Sequence, residues 1–167
     1  GCKLNKPGRC ASKFANDKTN MKKIILITAL VCAAFIAHAE KLKWLTDATK
    51  AQAQAKAEKK LVFLDFTGSD WCGWCIKLDK EVFSKPEFAE YARKNLVLVE
   101  VDFPRRKRLS DAQQKANDAL ARKYKIEGYP TIIVLNGEGR QVGELGYVRG
   151  GPKAFIAELD KAKKKAG

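Results

Sequence analysis

The chain has 167 residues, room for one ordinary domain plus a targeting segment, and its composition is globular: 46% hydrophobic, 31% charged, five prolines. It shows no low-complexity block and no repeat at solenoid periods. The net charge of +14 is compatible with nucleic-acid binding, but the basic residues outside the first forty positions are dispersed, which argues against that class.

Residues 1–20 are polar and basic, with Cys2 and Cys10 but no apolar period. They read as an upstream or non-native leader rather than part of a fold. Met21 then opens a secretion signal: Lys22-Lys23 are its positive start, Ile24 to Ile36 its apolar centre, and Ala37-His38-Ala39 a small-x-small cleavage site. The apolar centre is too short for a comfortable membrane span, which takes about twenty residues. Cys32 follows Val31, where a lipoprotein would carry a small residue. Cleavage after Ala39 is therefore expected, with residues 40–167 forming a periplasmic or otherwise extracytoplasmic domain. It removes three of the five cysteines, leaving Cys72 and Cys75. It also removes seven of the 33 basic residues and one of the 19 acids, leaving +8.

Lys41 to Lys60 is alanine-rich and free of glycine and proline, which predicts a helix with Thr46 or Asp47 as its cap. Trp44 and Leu45 are expected to pack on the domain edge. Leu61–Phe66 is a nearly continuous apolar run, as for a strand covered on both faces. Asp65 is its exception. A carboxylate there lies either at a sheet end in water or buried with a raised pKa. Beneath the cysteines that follow, it would be placed to take a proton from Cys75.

Thr67 to Asp70 form a loop into Trp71-Cys72-Gly73-Trp74-Cys75. With Cys72 at the first turn of a helix, free backbone N–H groups and the helix dipole favour its thiolate. Cys75, one turn on, is in reach of a mixed disulfide formed at Cys72. Two other readings are half of a zinc site and a structural disulfide. Zinc wants four ligands, yet the only histidine, His38, lies in the expected signal and no cysteine follows Cys75. A disulfide closing so short a loop removes little chain entropy. Redox chemistry is favoured, with no metal.

A helical pattern runs from Cys75 to Asn95 and is broken near Pro86, because Lys85 before proline disfavours helix. Leu96–Val101 is a second buried strand ending at Asp102. Phe103–Leu109 is a loop carrying Arg105, Arg106, Lys107 and Arg108 in a row, either a solvated loop or a docking surface. Ser110 caps a predicted helix from Asp111 to about Tyr124. Gly128-Tyr129-Pro130-Thr131 introduces a strand at Ile132–Leu135, and proline at a strand head can be cis. Asn136–Gly139 turns into a strand at Arg140–Leu145. A last helix follows Gly150-Gly151-Pro152, with Phe155, Ile156 and Leu159 on its apolar face.

The order β-α-β-α-β-β-α, Asp65-Phe66 before the cysteines, Trp71-Cys72-Gly73-Trp74-Cys75, and Tyr129-Pro130-Thr131 together resemble the thioredoxin family over roughly residues 41–165. The resemblance implies an α/β thioredoxin-like fold with a central mixed four-stranded sheet flanked by helices. It implies that Cys72 attacks, Cys75 resolves, and Pro130 is a cis-proline beside the pair. Trp71, Gly73, Trp74, Tyr129 and Pro130 would then contact an extended substrate peptide. No cofactor is implied beyond the redox-active disulfide. The expected partners are disulfide-containing exported proteins and a membrane thiol reductant, served by a monomer. Gly73-Trp74 replaces the Gly-Pro of ordinary thioredoxin, and the loop after Asp65 is one residue longer. The reading is a protein-disulfide reductase. An oxidase or isomerase with the same cysteines, or a client-binding module, are the alternatives.

Overall fold

The structure, a computed structural model, describes residues 41–166. The expected leader and signal segment lie outside the described residues. Two apolar runs form the centre of the sheet. Strands β2 (Leu61–Thr67) and β3 (Leu96–Asp102) lie parallel and in register, from Leu61 opposite Leu96 to Thr67 opposite Asp102. Every residue of β2 is buried, as a strand covered on both faces requires. Strand β4 (Thr131–Leu135) runs antiparallel to β2, and β5 (Gln141–Leu145) antiparallel to β4.

The fifth strand corrects the expectation of four. Trp44–Leu45 is not the start of a helix but a short strand, β1, parallel to β3 at the sheet edge, giving the order β1-β3-β2-β4-β5. Helix propensity in the alanine-rich run loses there to burial. The Trp44 ring meets Phe63 and Phe83 at centroid distances of 6.0 and 5.5 Å, a packing that outweighs the weak local preference. Helix α1 (Ala48–Glu58) begins only after Asp47, whose carboxylate accepts the N–H groups of Thr49 and Lys50 at 2.9 and 3.0 Å. Asp47 rather than Thr46 is the cap.

Helix α2 (Gly73–Leu78) continues into a π-helical turn, Asp79–Phe83. The wider turn lets adjacent Val82 and Phe83 both be buried. Pro86 opens helix α3 (Pro86–Asn95), with Lys85 extended before it. Helix α4 (Asp111–Lys123) is capped by Ser110, whose hydroxyl accepts the Gln113 N–H at 3.2 Å. Helix α5 spans Gly151–Ala166.

Strand alternation sends Leu61, Phe63, Leu98, Ile132 and Val134 to one face. There they meet Leu78, Val82, Phe83, Phe88 and Phe155 of α2, its π turn, α3 and α5. Val62, Leu64, Phe66, Val99 and Ile133 face α1 and α4. Gly143 of β5 has a steric purpose: a Cβ there would stand 2.7 Å from that of Ala162, so a side chain would push α5 off the sheet. Among the described residues no helix is long and apolar enough to cross a membrane.

Candidate active site

The cysteines are held by a turn at the C-terminal end of β2. The Gly68 carbonyl accepts the N–H groups of Trp71 and Cys72 at 3.2 and 2.8 Å. The turn needs glycine, because the Trp71 indole folds back over it: a Cβ on Gly68 would lie 2.5 Å from Trp71 Cε2. Trp71 Nε1 donates to the Phe103 carbonyl at 2.7 Å, and its ring stands edge-on to Tyr129 at 5.8 Å. The Arg105 guanidinium lies 3.8 Å from the centroid of the Trp71 ring.

Two carboxylates tie this turn to the loop after β3. Asp70 accepts the backbone N–H groups of Arg105 and Arg106, the latter at 2.7 Å, which holds its carboxyl below the usual range. Asp102 accepts both the N–H and the hydroxyl of Ser69, at 2.9 and 2.7 Å, and pairs with Lys107 at 2.8 Å. The ties from Asp70 and Ser69 are not visible as a sequence motif, since their partners lie more than thirty residues away.

Cys72 adopts an extended backbone as the N-cap of α2, and its Sγ accepts the Cys75 N–H at 3.2 Å. The two form a disulfide with a Cα–Cα distance of 5.3 Å. No acidic residue occupies the first turn of α2, so the N–H groups facing Cys72 are not offset by a local negative charge. Cys72 is 6% exposed and Cys75 5%. Gly73 has open space where a Cβ would point, so a reacting chain meets no wall on that side. Trp74, 54% exposed, tilts against Tyr147 at 5.1 Å, and the Lys77 ammonium lies over both rings.

Behind the pair, a cleft of 720 Å³ is lined in part by Cys75, Asp65, Asp79, Glu100, Trp44 and Phe83. Asp65 is buried, and its Oδ1 has no hydrogen-bond partner. Burial pushes its carboxyl up to about 8, with the charges of Glu100, Asp79 and Asp102 adding to the effect. Of the two environments the sequence allows for Asp65, the buried one is found. The loop after β2 leaves Asp65 lining the same cleft as Cys75, with Thr67 closing the strand and the Gly68 turn leading to the cysteines.

The Tyr129–Pro130 bond is cis. Tyr129 packs between Trp71 and Phe103, and burial raises its phenol pKa. The structure thus packs Trp71, next to Cys72 in the chain, against Tyr129, and Trp74, between the cysteines, against Tyr147. Phe103, Glu100 and Tyr147 share this site without having been singled out by sequence, and Arg105 joins them from the basic run that the sequence offered as a solvated loop or a docking surface. Of the first three only Glu100 carried a readable signal, as a lone carboxylate in an apolar run at the same depth as Asp65. Among the described residues, no three His, Cys, Asp or Glu side chains gather so as to hold a metal ion.

The thioredoxin-like domain family matches residues 48–163, most of the described fold. The chain belongs to that family. A defensin propeptide family also matches residues 21–70, less than half the chain and ending before the cysteines. This thioredoxin-like chain is 36% identical to the disulfide bond reductase DsbH of Chlamydia pneumoniae, over 98% of its own length and 92% of the relative's. It is 32% identical to the thioredoxin-related protein DsbJ of the same organism, over 64% of this chain and 31% of that one. A solved DsbH oxidoreductase superposes with a TM-score of 0.70 at 35% identity, covering 74% of this chain and 85% of that one. With the Cys72–Cys75 disulfide in place, the thioredoxin-like domain is a thiol–disulfide oxidoreductase.

Proposed function

We propose that the domain acts outside the cytoplasm as a protein-disulfide reductase, with Cys72 attacking and Cys75 resolving. The observation that carries this reading is the position of Cys72: it caps α2 and its sulfur already accepts a backbone N–H, an arrangement that stabilises a thiolate. In the reduced enzyme the Cys72 thiolate attacks one sulfur of a client disulfide, forming a mixed disulfide and expelling the client's other sulfur as thiolate. Cys75 loses its proton and attacks Cys72, restoring the Cys72–Cys75 disulfide and releasing the second client thiol. Two electrons pass to the client. A thiol donor, expected at the membrane, must return them.

Asp65 fits the role of proton acceptor for Cys75, since both line one cleft and a carboxyl titrating at about 8 is matched to a thiol's range. The cleft is roomy enough for water to relay the proton. Trp71, Gly73, Trp74, Tyr129 and Pro130 form the surface on which a client segment lies. The charged start of residues 21–39 and its small-x-small end support export, with cleavage after Ala39.

The test has two parts. The reduction potential of the pair is measured against dithiothreitol or glutathione buffers, and a value near about −270 mV supports electron donation. A value near about −120 mV makes the protein a disulfide donor and overturns the reductase direction. Cys75→Ser should trap mixed disulfides with exported proteins, while Cys72→Ser should trap none. Adducts that form equally with either variant would refute the assigned roles.

A further inference from the structure

The thiol–disulfide chemistry makes no use of the basic run at residues 105–108, and the structure does not leave it as loose, solvated loop. All four of these residues are exposed, yet the segment is pinned at three points. Arg105 and Arg106 donate their backbone N–H groups to Asp70, and the Lys107 ammonium pairs with Asp102. Four adjacent cations repel one another, and ordering them costs conformational entropy as well. Asp102 neutralises Lys107. The carboxylate of Asp70 is committed to backbone N–H groups. Among the described residues, no carboxylate pairs with the guanidinium of Arg105, Arg106 or Arg108.

The direction of the run matters as much as its charge. The Arg105 guanidinium lies on the face of Trp71, the residue immediately before Cys72. Phe103 and Tyr129 continue the same wall. The cations are therefore fixed along one flank of the redox pair, on the loop that also accepts the Trp71 indole N–H.

We propose that Arg105, Arg106 and Arg108 form a selectivity surface for an acidic polypeptide segment: a partner whose reacting cysteine is flanked by Asp or Glu. The inference rests on the thiol–disulfide exchange reading and adds the class of partner. A guanidinium presents paired donors to a carboxylate, and an exposed cationic patch acts mainly on encounter rate and partner choice. The patch is one short loop bound to the cysteine turn, which suits a client strand lying across the pair better than a broad membrane surface.

Two disulfide peptides test this, identical except that one flanks its cysteine with Asp and Glu and the other with Asn and Gln. Second-order rates with the reduced enzyme are each divided by the same protein's rate with oxidised dithiothreitol, so that effects on the sulfur chemistry cancel. The acidic peptide is expected to react about tenfold faster at low ionic strength, with the advantage gone near 0.5 M salt. Arg106→Glu with Arg108→Glu should invert the preference. A ratio near one in the unsubstituted enzyme, or a ratio the double variant retains, overturns the proposal.

A second readout does not depend on turnover. Tryptophan fluorescence is titrated with the same two peptides carrying Ser for Cys. A saturable, salt-sensitive change with the acidic peptide alone supports the surface even if neither disulfide peptide is reduced, a result that would count against the reductase direction only. No change with either peptide overturns the surface while leaving the reductase reading intact. Salt-sensitive sedimentation with phosphatidylglycerol vesicles, without any peptide preference, would assign the cations to a membrane instead.

Discussion

Asp65 stands directly across the parallel β2–β3 ladder from Glu100, so two carboxyls face one cleft beside Cys75. Burial raises both; the Glu100 charge raises Asp65 further, while the Asp102 and Asp79 charges add to the rise at Glu100. The unfolded chain ionises Asp65 near its ordinary 3.8, whereas the native protein holds the proton to about 8. Between those values the native state binds more protons than the unfolded one, so stability falls as pH rises and levels off above about 8. Asp65→Asn removes this penalty. The oxidised variant should match the parent near pH 4, gain stability progressively to pH 8, and gain nothing more beyond. The displacement caps the gain at roughly 6 kcal/mol. Thermal melts from pH 4 to 9 check it; a pH-independent difference would show that Asp65 is ionised in the fold.

In the proposed mechanism the same pair sets the pH dependence of resolution. If Asp65 accepts the Cys75 proton, Asp65→Asn should slow release of the mixed disulfide by about 100-fold, within the range for a positioned base. Glu100→Gln removes a like charge from beside Asp65 and should shift the pH profile of that step downward, with a smaller change in maximal rate. Single-turnover release from a preformed Cys72 adduct measures this step without the attack that precedes it. A Glu100→Gln profile that does not move would separate Glu100 from the proton.

Gly68 and Trp71 make a steric argument. A methyl at residue 68 overlaps the indole at 2.5 Å, and the neighbouring backbone is fixed by the Cys72 N–H bond to the Gly68 carbonyl. The ring must give. Gly68→Ala should displace Trp71, break its bond to the Phe103 carbonyl, and cost about 1–3 kcal/mol in denaturant unfolding. Client reduction should fall further than reduction of a small disulfide, because Trp71 carries the Tyr129 and Arg105 contacts. Equal losses on both substrates would mean that the ring serves stability alone.

The central strands, the Ser110 cap, the break at Pro86 and the cysteine turn were legible because each rests on neighbouring residues: unbroken apolar runs, a hydroxyl before a helix, a proline's missing N–H. Trp44–Leu45 was not. Two residues carry no alternation, and what makes them a strand is the Phe63–Phe83 surface formed by distant parts of the chain. The π turn at Asp79–Phe83 likewise answers to tertiary packing. In the site, Cys72 and Cys75 announced themselves by spacing. Asp70 and Asp102 looked like ordinary loop and strand-end acids until folding brought Arg105, Ser69 and Lys107 to them.

Asn117 is the hidden support of that arrangement. It is 2% exposed on α4, and its Nδ2 donates to the Asp102 backbone carbonyl at 2.8 Å, while Gln113 Nε2 donates to its Oδ1 at 2.8 Å. The carbonyl it satisfies is the last of β3, in the same residue whose carboxylate holds Ser69 and Lys107. Asn117→Leu keeps much of the volume but leaves that carbonyl without its side-chain donor, at a cost of about 1–3 kcal/mol. The loss should also be local. If the Asp102 backbone loosens, the Ser69 N–H, bonded to Asp102 Oδ1, should exchange with solvent faster than the drop in global stability accounts for. The Phe103 N–H, bonded to the Thr67 carbonyl, should follow it. Residue-resolved hydrogen exchange on the oxidised protein measures both. Acceleration at Ser69 and Phe103 beyond that of the β2 core would locate the effect at the cysteine turn, whereas uniform acceleration would reduce Asn117 to one more buried hydrogen bond.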